Sequence, residues 1–297
     1  MDLQILAASF YEHSIHIKGH SRHTIRRCQH AINYYAKFSG ATVIEAVTGA
    51  SVREMLLDGR VRRGWKPGTF IAMHKSLAAF FRWCVERGHM PANPVDGIEL
   101  PRLEKRLPSR LRKQDAMKLL EVAANYPYRH VFLARRNHAI FATFVYAGLR
   151  RSELLSLRVT DVDLENMTIF VNRGKGAKDR IVPICSQLAL ALKRYLIERK
   201  RLGKTCPEFF ASFIKDMRFT VDGMNVLISK MRKATGIKFS SHRLRHTFAT
   251  LMLEGGCDIY SLSRMMGHSD IKTTTIYLSA SAEHLRSQIL KHPLNVC

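Results

Sequence analysis

The chain has 297 residues, 46% hydrophobic and 24% charged, an ordinary globular composition that excludes general disorder and is long enough for two domains. Lys and Arg number 48 against 24 Asp and Glu, a formal charge of +24, so a compact state repels itself and a polyanionic partner is expected. A membrane is excluded as that partner because no apolar run approaches the ~20 residues that span a bilayer, and Met1-Asp2-Leu3-Gln4-Ile5 does not open a secretory signal.

Six cysteines (Cys28, Cys84, Cys185, Cys206, Cys257 and Cys297) form no C-x-x-C pair, which removes the usual zinc spacings and speaks against a disulfide framework. The expectation is a cytoplasmic, nucleoid-associated protein with reduced thiols and no metal or cofactor.

The first hundred residues read as helices. Leu3, Leu6, Phe10 and Ile17 mark an apolar face that ends at Gly19-His20. Ser21 is placed to cap a second helix, in which Ile25, Cys28, Ile32, Tyr35 and Phe38 recur at helical spacing until Gly40. A short helix over 51–57 follows, then a longer one over 69–87 carrying Ile71, Met73, Leu77, Phe80, Phe81 and Cys84. Pro91 to Pro108 contains four prolines and no sustained periodicity, so it reads as a linker. The domain assignment is 1–100, a linker at 101–110, and 111–297.

Helices are expected over 113–124 and over 136–146, the latter closed by Gly148. Then the period changes: 167–171 and 180–184 are β-prone and flank a hairpin tip with Gly174-Lys175-Gly176. Further helices are expected over 186–200, 222–234, 243–254 and 259–265, with a short one reaching Tyr277. The stretch 202–220 is the least readable. The fold class is mainly α, with a small antiparallel β-sheet in the second domain.

Four strings could carry chemistry, and each has a plain alternative. Arg150, just past a helix end and three residues before Glu153, makes an ordinary surface ion pair if taken singly. Lys175 between two glycines also fits a solvated turn. His242, Arg245 and His246 share one face of a helix start, which fits a phosphate clamp as well as a catalytic group. Gly267-His268, nine residues before Tyr277, also fits a helix stop and a packed tyrosine. The histidines His13, His16, His20, His23 and His30 hint at a metal stripe, but Gly19-His20-Ser21 breaks the helix between them, so no metal site is expected.

Together the four strings fit attack on a phosphodiester, which needs charge on the non-bridging oxygens, a nucleophile and an acid for the leaving group. Arg150 and Arg245 supply guanidinium forks matched to phosphate. His242 and His268 add hydrogen bonds, and His242 is placed to take the nucleophile's proton. Lys175 suits the acid, and cationic neighbours would favour the phenolate of Tyr277.

These residues resemble the tyrosine recombinase (phage integrase) family, and within it the Xer-like and transposon-integrase members. The resemblance is carried by the string 147–154 around Gly148-Leu149-Arg150, by Gly174-Lys175-Gly176 through Pro183, by Ser241-His242-Arg243-Leu244-Arg245-His246-Thr247, and by Gly267-His268 through Ile276-Tyr277. It implies a catalytic set of Arg150, Lys175, His242, Arg245, His268 and Tyr277, with Glu153 buttressing the first arginine and His246 in support. It implies a two-domain DNA clamp: a helical core-binding (SAM-like) domain, where 21–25 resembles the start of the family's second core-binding helix, and a catalytic domain. The implied function is site-specific DNA recombination through a covalent 3′-phosphotyrosine and a Holliday junction, independent of metal and ATP. Its implied partner is double-stranded DNA with an inverted-repeat core site, bound by a homotetramer on two duplexes, with or without a second recombinase.

Two rivals differ in class: a type IB topoisomerase, which relaxes supercoils as a monomer, and a catalytically silent DNA-binding regulator. The target sequence and the biological event (integration or excision of a mobile element, or replicon dimer resolution) are not legible in the pattern. In relatives the region after the tyrosine is often an exchanged helix, and Leu285, Ile289 and Leu290 offer a docking face here. Deleting the residues after Ala282 should therefore impair assembly of paired duplexes more than binding to one duplex. Equal loss of both, measured by gel shift, would remove that role.

Overall fold

In a computed structural model, residues 1–103, 109–172, 179–268 and 270–278 are described. The chain divides into two units, Met1–Lys105 and Arg106–Cys297.

The first unit holds α1 (Leu3–His16), α2 (Arg22–Ser39), α3 (Gly49–Val61) and α4 (Pro67–Glu86). Ser21 caps α2 by accepting from the Thr24 amide at 3.2 Å, and Gly40 ends it in the left-handed region at φ +71°. The helices bury Leu3, Leu6, Phe10, Ile32, Tyr35, Leu77, Phe80 and Phe81 in one core. Two expectations need adjusting. Ile17 lies beyond the end of α1 and is 72% exposed, so it is not part of the apolar face. The first part of the proline-rich segment packs on this unit: Val95 is buried in its core and Asn93 donates to the Ala78 carbonyl at 3.1 Å.

The second unit begins with α5 (Lys113–Asn125) and α6 (Val131–Ala147). In α6, Phe132, Ala139, Ile140, Phe141, Ala142, Phe144 and Val145 are all buried, so apolar residues occur on every face. A helix of that kind belongs at the centre of a core. It packs against α5, against α8 (Ser186–Arg201) and against α10 (Ser241–Glu254). Two elements escaped the sequence pattern: α7 (Arg151–Ser156) and the two-residue β1 (Val162–Asp163). β1 pairs antiparallel with β2 (Thr168–Val171), which pairs antiparallel with β3 (Arg180–Pro183) in the register Ile169–Val182 and Val171–Arg180. Ile169, Val171 and Val182 face the core, while Phe170 and Ile181 are exposed. The Gly174-Lys175-Gly176 tip lies outside the described residues, as does the tail with Leu285, Ile289 and Leu290.

The stretch 202–220 has little regular structure, yet it is tightly held. Phe209, Phe210 and Phe219 are buried, and the Arg136 guanidinium sits 4.2 Å from the Phe219 ring centroid. Its order comes from tertiary contacts rather than periodicity. The chain closes with α9 (Val221–Thr235), α11 (Ile259–Met266) and α12 (Lys272–Thr275). A separate small core gathers Phe248, Leu253, Leu262, Met266 and Tyr277. Among the described residues no helix is long and apolar enough to cross a membrane.

Gly148 ends α6 at φ +60°, and a Cβ there would overlap the Phe248 ring. Both the backbone and the close approach therefore require glycine. Gly148→Ala should cost about 2–4 kcal/mol of stability, read from a urea midpoint. An unchanged midpoint would mean that Phe248 yields without cost.

Candidate active site

Two helices end in left-handed glycines: α6 at Gly148 and α11 at Gly267, with φ values of +60° and +62°. The last carbonyls of any helix lack partners within it and carry the negative end of its dipole. Here arginines satisfy them. Arg245, on α10, donates to Gly148 O at 2.7 Å and to Met266 O at 2.5 Å. Arg150 donates to Gly267 O at 2.9 Å, and Arg180 to Met265 O at 2.7 Å.

The same three arginines converge on Glu153, one turn into α7. Arg180 grips its carboxylate with two hydrogen bonds, of 2.9 and 2.8 Å. Arg150 reaches it twice, through a side-chain nitrogen at 2.6 Å and through its backbone N–H at 2.7 Å. Arg245 lies 3.8 Å away. Burial alone would raise the Glu153 carboxyl; the hydrogen bonds and charge of Arg180, joined by those of Arg150, outweigh it and bring the pKa down to about 2. One carboxylate against three guanidinium groups leaves an excess of positive charge. The Arg150 side chain, 22% exposed against 3% for Arg245, is the more accessible of the two to an incoming anion.

His268 follows directly on the α11 stop. Its Nε2 lies 3.2 Å from an Arg245 nitrogen and its Nδ1 2.8 Å from the Thr274 hydroxyl. Arginine can only donate, so Nε2 accepts and Nδ1 carries the proton. Burial and the charges of Arg245, Arg150 and Arg180 lower the pKa of His268 to about 4, so the ring is neutral at pH 7.

Tyr277, two residues beyond α12, is buried, and its hydroxyl lies 2.8 Å from His246 Nδ1. Burial raises the phenol's pKa, and the opposing pull of Arg245 and Arg150 does not reverse that. Without DNA, Tyr277 is therefore a protonated phenol. The expectation that its cationic neighbours favour the phenolate is corrected here: a buried site penalises the charged form by more than those arginines return. His242 stands with its ring centroid 4.6 Å from that of His246, in edge-to-face contact, and has no hydrogen-bond partner among the described residues.

Of the residues singled out in the sequence, Arg150, Glu153, Arg245, His246, His268 and Tyr277 come together from four separate segments, with His242 beside them. Lys175 lies outside the described residues. Arg180 was not assigned a role: it stands in the hairpin string, but nothing in its spacing points to Glu153, 27 residues earlier. Thr274 was also missed. Among the described residues no three His, Cys, Asp or Glu side chains form a metal-holding group.

Residues 109–284 match the family model described as the phage integrase family. The chain is 32% identical over 281 residues to a tyrosine recombinase XerA of Thermococcus onnurineus, covering 93% of this chain and 91% of that one. It is 31% identical over 303 residues to a tyrosine recombinase XerC of Thermodesulfovibrio yellowstonii, covering 98% and 97% respectively. Its fold is similar to that of XerH site-specific recombinase bound to a palindromic difH substrate, with a TM-score of 0.74 at 20% identity over 97% of this chain and 95% of that one.

Removing the charge of Glu153 leaves three guanidinium groups facing one another in a buried site. Glu153→Gln should destabilise the second unit by about 3 kcal/mol at neutral pH. Because the folded-state pKa is depressed from 4.5 to about 2, the wild type carries this stabilisation in full above pH 4.5 and loses it as pH falls toward 2. Acid titration of stability should show that loss in the wild type and not in the variant. Parallel acid limbs would mean that Glu153 does not anchor the cluster.

Proposed function

The chain belongs to the phage integrase family, and we propose that it is a site-specific DNA recombinase whose nucleophile is Tyr277. The observation that carries the assignment of residues is the convergence of Arg150, Arg245, His268 and Tyr277 around one small volume. In this proposal the scissile phosphate docks on Arg150 and Arg245, displacing some of their donors from the helix-end carbonyls. The guanidinium groups neutralise charge that builds on the non-bridging oxygens as phosphorus becomes five-coordinate.

The Tyr277 oxygen attacks phosphorus and the 5′ oxygen departs, leaving a 3′-phosphotyrosine and a free 5′ hydroxyl. Lys175 is the proposed acid for that departure. The bond formed is similar in energy to the bond broken, so the 5′ hydroxyl of the same or a partner strand reverses the step without an energy source. Strand exchange between two duplexes then passes through a Holliday junction.

Double-stranded DNA is the partner, supported by the formal charge of +24. An inverted-repeat core site, a homotetramer on two duplexes, and a cytoplasmic, nucleoid-associated location are the finer parts of the proposal. The first unit is proposed as the core-binding domain. Arg22, His23, Arg26 and Arg27 are exposed along the start of α2, where they can meet phosphates. A silent DNA-binding regulator would not need a buried tyrosine held against a histidine beside two arginines, so the enzymatic assignment takes precedence.

Covalent capture tests it. A cognate site, taken from the ends of the element that encodes the protein and nicked just 3′ of the scissile phosphate, is incubated with protein in EDTA without ATP. A detergent-resistant protein–DNA adduct should form with the wild type and be lost in Tyr277→Phe. Folded, site-bound wild type that forms no adduct would favour the regulator, and an adduct surviving in Tyr277→Phe would mean a different nucleophile.

A further inference from the structure

We propose that His246 accepts the proton of Tyr277 as the tyrosine attacks DNA, and returns it when the strand is rejoined. This rests on the recombinase assignment above and adds a role within the same site. The 2.8 Å separation between His246 Nδ1 and the Tyr277 hydroxyl makes His246 the imidazole in direct contact with the nucleophile. His242, the expected acceptor, meets the ring of His246 rather than the phenol.

Local structure aims that nitrogen. His246 lies within α10, next to Arg245, which is itself fixed to two helix-end carbonyls. The edge-to-face ring of His242, one turn earlier, restricts the His246 imidazole from one side. Tyr277 is buried in a small apolar core with Phe248, Leu262 and Met266, which limits its freedom to swing away. The titratable and charged groups around the pair are His242 and Arg245 on α10, His268 after α11, and Arg150 before α7.

Burial, His242 and Arg245 hold the His246 pKa down to about 4, so the ring is neutral at pH 7. With its proton on Nε2, the ring turns the Nδ1 lone pair toward the phenol, which donates. Before DNA arrives, transfer is uphill, because the phenol is itself held protonated. The scissile phosphate brings negative charge among these cations and raises the histidine's affinity for a proton at the moment it is needed.

In the cleavage step the O–H bond of Tyr277 breaks and its proton goes to His246 Nδ1. The tyrosine oxygen forms a bond to phosphorus, the bond from phosphorus to the 5′ oxygen breaks, and that oxygen takes a proton from a separate acid, the role proposed for Lys175. In rejoining, the 5′ hydroxyl displaces the tyrosine oxygen and His246 gives its proton back.

The test compares cleavage rates on the nicked site for wild type, His246→Asn, His246→Gln and His242→Gln, from pH 6 to 9, with gel shift to confirm equal site binding. Asparagine places an acceptor close to the Nδ1 position, so it preserves an orienting contact but cannot take a proton at these pH values. His246→Asn should cleave about 100-fold more slowly at pH 7, within the range for loss of a general base. Its rate should climb with pH as solvent hydroxide substitutes, while the wild-type profile stays flatter. His246→Gln should behave in the same way, and His242→Gln should keep the wild-type profile.

Wild-type rate and pH profile in His246→Asn would overturn the proposal and leave His246 as a positioning contact. Transfer of the steep profile to His242→Gln alone would assign the proton to His242. Failure of the recombinase assignment gives a different signature, since no Tyr277-dependent adduct then forms in the wild type at any pH.

Discussion

A single buried carboxylate organises the catalytic unit. Glu153 ties together α7, which bears it, the loop before α7 through Arg150, β3 through Arg180, and α10 through Arg245. Each arginine also closes a helix end, so the carboxylate fixes where α6 and α11 stop relative to one another. Three like charges could not be gathered in a poorly solvated place without a counter-charge, and helix-end carbonyls supply only partial ones. The cluster is thus both a structural joint and an anion site with unspent positive charge.

That joint also determines the resting state. Packed against apolar side chains, Tyr277 is a neutral phenol, and His246 and His268 beside it are neutral imidazoles. Positive charge concentrates on the arginines, where a phosphate would sit, while the groups that exchange protons wait uncharged. Arrival of a phosphodiester then changes the local field most where the chemistry occurs. Arg180 takes part only through Glu153 and the turn before His268, which makes it a positioning residue.

The elements with strong periodicity were legible before any coordinates. Ser21 and Gly40 bound α2 as their chemistry implies, and the glycine after α6 stops it. The misses share a cause. α7 is six residues long and set by the Glu153 contacts rather than by an apolar stripe. The segment 202–220 draws its order from Phe209, Phe210 and Phe219 fitting into a core built by other helices, and no local pattern records that. Ile17 shows the converse error, because an apolar residue at helical spacing means little once the helix has ended.

The sequence by itself determined the kinds of groups available: two guanidinium forks, several imidazoles, a phenol, a large basic excess, and the order of strings that places them in a known family. Residue type sets charge and reactivity, and type is local. Which groups meet was a tertiary matter. That Arg180 would grip Glu153, that His246 rather than His242 would touch Tyr277, and that burial would outweigh the arginines on the phenol all depend on distance and desolvation. Those quantities arise only when segments more than a hundred residues apart, such as Arg150 and Gly267, are packed side by side.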